Sequence, residues 1–154
     1  MKAIKLRAIC IAICAVLTLA ACDRASGPVE EASETELLDR LTTSPRGVNV
    51  HLVRMVSRGD TYAFEPDQIE VRRGDLVRFV MDSPQPESVA FDEDGLSPEA
   101  AEFVRLHDLG HGELLTSAGA VYDVSFRDAP PGRYPFRSII HAERGMTGAV
   151  VVGD

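Results

Sequence analysis

After residue 22 this chain of 154 residues contains no cysteine: Cys10, Cys14 and Cys22 are the only three. The remaining residues can form no disulfide and supply no thiolate, to a metal or to a substrate. Lysine is equally scarce. Lys2 and Lys5 are the only two, so every side-chain cation beyond them is arginine or histidine. No apolar run reaches the roughly 20 residues of a spanning helix. The longest, Ala8 to Ala21, has 14 residues and is broken by Thr18. There is no internal repeat and no glycine-rich phosphate loop; the glycines stand singly at turns. Ser138 and His141 have the residue types of a nucleophile and a base, but no carboxylate is spaced in the sequence to orient the histidine. These absences argue against an enzyme.

What is present begins with a targeting signal. Lys2, Lys5 and Arg7 precede the short apolar run, and small residues follow it, which is the pattern of a secretory signal. Leu19-Ala20-Ala21-Cys22 resembles the lipobox of bacterial lipoproteins. That resemblance implies that residues 1–21 are removed, that Cys22 is lipidated, and that the protein is held at a membrane outside the cytoplasm. Residues 22–45 then read as the lipidated cysteine and a tether. Ser26-Gly27-Pro28 is flexible, and Glu30 to Leu41 suits a short amphipathic helix through Leu37, Leu38 and Leu41. The formal net charge of −8 falls to about −11 once Lys2, Lys5 and Arg7 leave. So acidic a surface is a poor match for nucleic acid or anionic lipid.

Residues 46–154 form one domain with a β pattern. Val48, Val50 and Leu52 alternate with Asn49, His51 and Val53, which predicts a strand with His51 on its outward face. Tyr62 with Phe64, Ile69 with Val71, and Leu76 through Val80 continue the pattern. Val89 to Phe91, Val121 to Phe126, Tyr134 with Phe136, and Ala149 to Val152 complete it. Ser97-Pro98-Glu99 predicts a helix start, with a capping serine, proline in the first turn and an early acid. Ala100, Ala101, Phe103, Val104 and Leu106 would be its apolar face, followed by a long loop through Gly110 and Gly112. Many short strands with Gly/Pro turns and one helix in a long connection predict an all-β, Greek-key sandwich.

The order of these features resembles the cupredoxin family, in its plastocyanin and pseudoazurin branch. Phe64-Glu65-Pro66, Ile69-Glu70-Val71 and Gly74-Asp75 resemble the family's opening. Ser88 to Asp94 is similar to the strand after its first histidine ligand, and Gly132-Arg133-Tyr134-Pro135-Phe136 to the approach to its ligand loop. His141 followed by Gly145-Met146-Thr147-Gly148 resembles its end. The resemblance implies a cupredoxin-like sandwich. It also implies four positions of a blue-copper site, which takes two histidines, a cysteine thiolate and a weak axial methionine. Here they hold Glu87, Ser138, His141 and Met146, so the thiolate and one histidine are missing.

Two expectations for the site follow. Glu87, His141 and Met146 bind a metal weakly, with copper at a non-standard centre. Otherwise Glu87 and His141 pair electrostatically and Met146 is apolar filler, with no cofactor. Arg137 and Arg144 bracket this loop. A separate pair, His107 and His111, has zinc-like spacing with Asp108 and Glu113 nearby, but Gly110 and Gly112 place it in a loop. Two functions remain open: a non-enzymatic envelope module that binds a protein partner or helps assemble a complex, and a copper-binding electron carrier or copper-handling protein.

Overall fold

The computed structural model describes residues 48–153. The expected signal (residues 1–21), the lipidation at Cys22 and the tether with its helix lie outside the described residues. The strands are β1 (Val50–Arg58), β2 (Thr61–Glu65), β3 (Gln68–Arg72), β4 (Leu76–Asp82), β5 (Glu87–Phe91), β6 (Glu113–Leu115), β7 (Val121–Ser125), β8 (Gly132–Arg137) and β9 (Thr147–Gly153). One helix, α1 (Pro98–Leu106), lies between β5 and β6. They form two sheets, in the orders β2-β1-β4-β7 and β3-β9-β8-β5-β6. β1 pairs with β4, and β3 with β9, in parallel; the other pairs are antiparallel. This is the expected all-β sandwich with one short helix in a long connection.

Period-2 patterning builds the core, because alternate residues of a strand face one side. Val53, Met55, Val77, Phe79 and Met81 from the first sheet are buried, with Val71, Val89, Phe91, Tyr134, Phe136, Val150 and Val152 from the second. Phe79 meets Phe136 edge-on at 5.1 Å, and Phe64 meets Phe136 at 4.8 Å. Each such ring contributes roughly 1.5–3 kcal/mol by leaving water. The packing is close enough to demand a glycine. Gly148 lies opposite Phe136 in the β8–β9 ladder, and a Cβ there would come within 2.5 Å of that ring and of the Asp67 carbonyl.

Three local expectations are corrected. In β1 Val53, Met55 and Val56 are buried, and Val53 and Met55 join the hydrophobic core, so the core-facing phase is the reverse of the one predicted. Apolar residues at both 52 and 53, and at both 55 and 56, allow either phase, and Met55 opposite Met81 decides it. His51 therefore shares the inward face with Val53, at the sheet's end. The loop after α1 contains a short strand, β6, paired with β5. Three residues are too few to show a period. In α1 the buried face is Ala100, Phe103 and Val104, whereas Leu106 is 74 % exposed. The cap is as expected, with Ser97 Oγ accepting from Ala100 N at 3.2 Å.

The inward turn of His51 creates a polar cluster. Asp75, buried in the β3–β4 connection, accepts from Arg72 N at 2.9 Å, from Asn49 Nδ2 at 2.9 Å and from His51 Nε2 at 2.8 Å. Burial by itself would raise the Asp75 carboxyl, but these donors, with the His51 ring beside it, hold it below its ordinary value of 3.8. A depressed folded value stabilises the fold above that ordinary value, and the stabilisation is lost as pH falls through the lower folded one. Asp75→Asn should therefore flatten the acid side of a melting-temperature profile taken from neutral to strongly acid pH. Asp75→Ala, which leaves the donors unanswered, should cost about 3 kcal/mol in urea unfolding at neutral pH.

Candidate functional site

The four positions picked out by the family resemblance converge at one end of the sandwich. Glu87 opens β5, a strand whose five residues are all buried. Ser138 follows the end of β8, and His141 precedes a single 3-10 turn (Ala142–Arg144). Met146 comes just before β9. The loop is closed by its own backbone. Ser138 N donates to Met146 O at 3.0 Å, Arg144 N to His141 O at 3.0 Å, and Met146 N to His141 O at 3.3 Å. Gly145, with φ of 83°, supplies the left-handed residue that ends the turn. A serine on β5 ties the loop to the sheet, since Ile139 N donates to Ser88 Oγ at 2.8 Å.

At the centre of the site His141 Nδ1 lies 3.0 Å from Glu87 Oε2. The Glu87 side chain is wholly buried, and that of His141 is 9 % exposed. The pairing considered from sequence is therefore present. So is a carboxylate on His141, which corrects the reading that none orients it. Sequence spacing concealed it because 54 residues separate the two. A nucleophile is still not assembled. Ser138 is fully buried, its Oγ accepts from the backbone N of His141 at 3.1 Å, and it lies 3.5 Å from Ser88 Oγ. Glu87 Oε1 is buried and meets no protein donor. Met146 is fully buried within the hydrophobic core.

Tyr62 is a residue of this site that sequence reasoning missed. Its ring stacks on that of His141, with centroids 3.7 Å apart and planes 13° from parallel. Its hydroxyl donates to Gln85 Oε1 at 2.8 Å, and the Arg144 guanidinium carbon lies 5.2 Å from the ring centroid. In the sequence Tyr62 reads only as an apolar strand residue alternating with Phe64. Arg137, the other bracketing cation, pairs with Asp92.

The second candidate pair does not come together as a ligand set. His107 caps α1 and packs on Phe103, at 4.6 Å between rings, whereas His111 pairs with Asp108 on the exposed surface. Among the described residues no three His, Cys, Asp or Glu side chains form a group able to hold a metal ion.

The scaffold has known counterparts. Residues 50–153 match the family described as copper binding proteins, plastocyanin/azurin family. The chain belongs to that family. It is 30 % identical over 112 residues to a plastocyanin of Synechococcus, covering 71 % of this chain and 78 % of that one. A plastocyanin of Nostoc punctiforme is 30 % identical over 111 residues, with the same coverage. The fold also matches the oxidised plastocyanin of the fern Dryopteris crassirhizoma, with a TM-score of 0.57, at 22 % identity over 67 % of this chain and all of that one.

Copper, named in the family's description, can be tested against the residues present. A blue-copper centre takes two imidazoles and a thiolate in one plane. The donors here are one imidazole, one carboxylate, a hydroxyl and a thioether, and no cysteine lies beyond Cys22. Glu87 and His141 make a direct hydrogen bond at 3.0 Å. The set does not fit a blue-copper centre.

A buried pair broken on one side is costly, whereas removal of both partners is often close to neutral. His141→Leu, which leaves the Glu87 carboxylate buried and alone, should cost about 3–5 kcal/mol in urea unfolding. Glu87→Leu combined with His141→Leu should recover most of that loss.

Proposed function

We propose that this chain is a membrane-anchored extracytoplasmic lipoprotein whose cupredoxin domain is a non-enzymatic binding or assembly module that works without a bound metal. The observation that carries the reading is the direct contact between Glu87 and His141, at the place where the family's site residues converge. Glu87 Oε2 and His141 Nδ1 are hydrogen-bonded to each other there, and the thiolate needed for rapid copper electron transfer is missing.

Anchoring is supported by the lipobox-like Leu19-Ala20-Ala21-Cys22 and the basic start before it. Among the described residues no helix is long and apolar enough to cross a membrane. A protein partner at the His141 end is supported by Ile139 and Ile140, which are 54 % and 49 % exposed beside the buried His141. The acidic balance gives no support to a nucleic-acid partner.

One observation favours the second reading, a copper-handling protein with a non-standard site. Glu87 Oε1 is buried without a donor, and an oxygen so placed can accept a cation. Metal analysis of the protein purified from its native membrane, with Cu(II) titration of the wild type and His141→Ala, separates the two. The module reading expects no stoichiometric copper and no reversible redox couple. One equivalent of Cu(II) held at submicromolar affinity, and lost in His141→Ala, would overturn it.

A further inference from the structure

The chain switches sheets between β2 and β3, and the switch leaves two strand edges open. β2 pairs with β1 only from Arg54 onward, and β3 then pairs with β9 in the other sheet. Among the described residues, Val50 to Val53 and the whole of β3 therefore have a neighbouring strand on one side only. A cleft of about 620 Å³ opens onto both. It is lined by Asn49 and His51 at the start of β1, by Glu70 and Arg72 of β3, and by Asp75. We propose that this cleft receives an extended segment of a partner protein, which adds to the free edge of β3 as an antiparallel strand and carries an acidic residue two positions before a basic one. This surface shares no residue with Ile139 and Ile140, and the inference does not rest on them.

The course of the main chain shows which groups are free. Successive residues of a strand turn their N–H and C=O to opposite sides. Asp67 O accepts from Ala149 N of β9 at 2.8 Å, whereas Arg72 N donates to Asp75 Oδ2 at 2.9 Å, outside the ladder. The odd-numbered residues of this stretch thus bond to β9, and Gln68, Glu70 and Arg72 turn to the open edge. Asp75 occupies both main-chain groups of Arg72, because its own N donates to Arg72 O at 3.0 Å. Gln68 and Glu70 keep theirs for an added strand, and such main-chain bonds are how a peptide joins a sheet edge.

The side chains select the segment. Glu70 and Arg72 are exposed on one face of β3, and among the described residues neither forms an ion pair. Charges on an edge strand commonly guard it against pairing. Opposite charges two residues apart leave it open to one complementary pattern. Residues directly opposed in an antiparallel pair interact favourably when their charges are opposite and unfavourably when they are alike. An acid opposite Arg72 and a base opposite Glu70 meet that condition, and antiparallel order puts the acid first. A slip of two residues either way opposes like charges, which fixes the register. A second copy of β3 has the right charges in the right order but fits less well. Its Asp75 already holds the Arg72 N–H that the ladder would need.

The test is a nuclear magnetic resonance titration of the full chain with the blocked peptide Thr-Asp-Val-Lys-Val-Thr, read together with amide hydrogen exchange. Binding should protect the Gln68 and Glu70 amides and leave those of Ile139 and Ile140 unchanged. Glu70→Lys should weaken this peptide about tenfold and bind Thr-Asp-Val-Asp-Val-Thr about tenfold more tightly than the wild type does. Where Glu70→Lys lacks the wild-type circular dichroism, Arg72→Glu with Thr-Lys-Val-Lys-Val-Thr takes its place, and the same exchange of preference is expected. A peptide that protects no β3 amide overturns the inference, as do shifts confined to the Ile139–Ile140 loop. A preference that does not follow the charge on β3 is equally fatal. A wild-type dimer in sedimentation that Glu70→Lys dissolves would also overturn it, by making a second copy the occupant.

Discussion

The site depends on a buried hydrogen bond between a carboxylate and an imidazole. Glu87 is placed in a strand with no exposed residue, where an isolated charge would be prohibitively expensive. His141 brings a polar nitrogen to meet it from a loop 54 residues away in sequence. Each makes the burial of the other tolerable. Their contact also joins β5 to the β8–β9 loop across the end of the sandwich. Tyr62 adds a third strand to this arrangement by lying flat against the imidazole, so β2, β5 and the loop are joined through two side-chain contacts. The loop's own backbone hydrogen bonds fix its course.

This arrangement separates scaffold from chemistry. Fold and site chemistry are distinct properties, and a family's fold can persist while its site changes. Here the family assignment rests on the residues of the two sheets, from Val50 to Gly153. The positions that the resemblance assigns to the site hold His141 and Met146, with oxygen side chains, Glu87 and Ser138, at the other two. Met146 belongs to the apolar core as much as to the site. The opposite end of β1 shows a different solution to polar burial. There one carboxylate, Asp75, is satisfied by a backbone N–H, an amide and an imidazole. Glu87 has one partner for two oxygens, and that imbalance makes its end of the molecule the chemically unsettled one.

Much of the fold was legible in the sequence because strand alternation and turn residues act locally. Val77 and Phe79, Tyr134 and Phe136, and the Ser97 cap all sit where their patterns place them. Legibility failed where local pattern was degenerate. Leu52 and Val53 are both apolar, so the phase of β1 was set by pairing with β4, which no local pattern records. That error carried His51 to the wrong face. The short β6 failed for want of length. At the site, resemblance named the four positions, and the chemistry of the missing cysteine followed from a count. The Tyr62 stack and the tie from Ile139 to Ser88 were not legible, since each joins residues of unremarkable type across 79 and 51 positions.

The central claim is that Glu87 and His141 meet directly, in place of a metal. A crystal structure of the wild-type protein grown with Cu(II), with anomalous data collected at the copper edge, tests it most directly. The account predicts Glu87 Oε2 and His141 Nδ1 within hydrogen-bond distance and no anomalous peak between β5 and the His141 loop. A copper peak coordinated by Glu87 and His141 would contradict it.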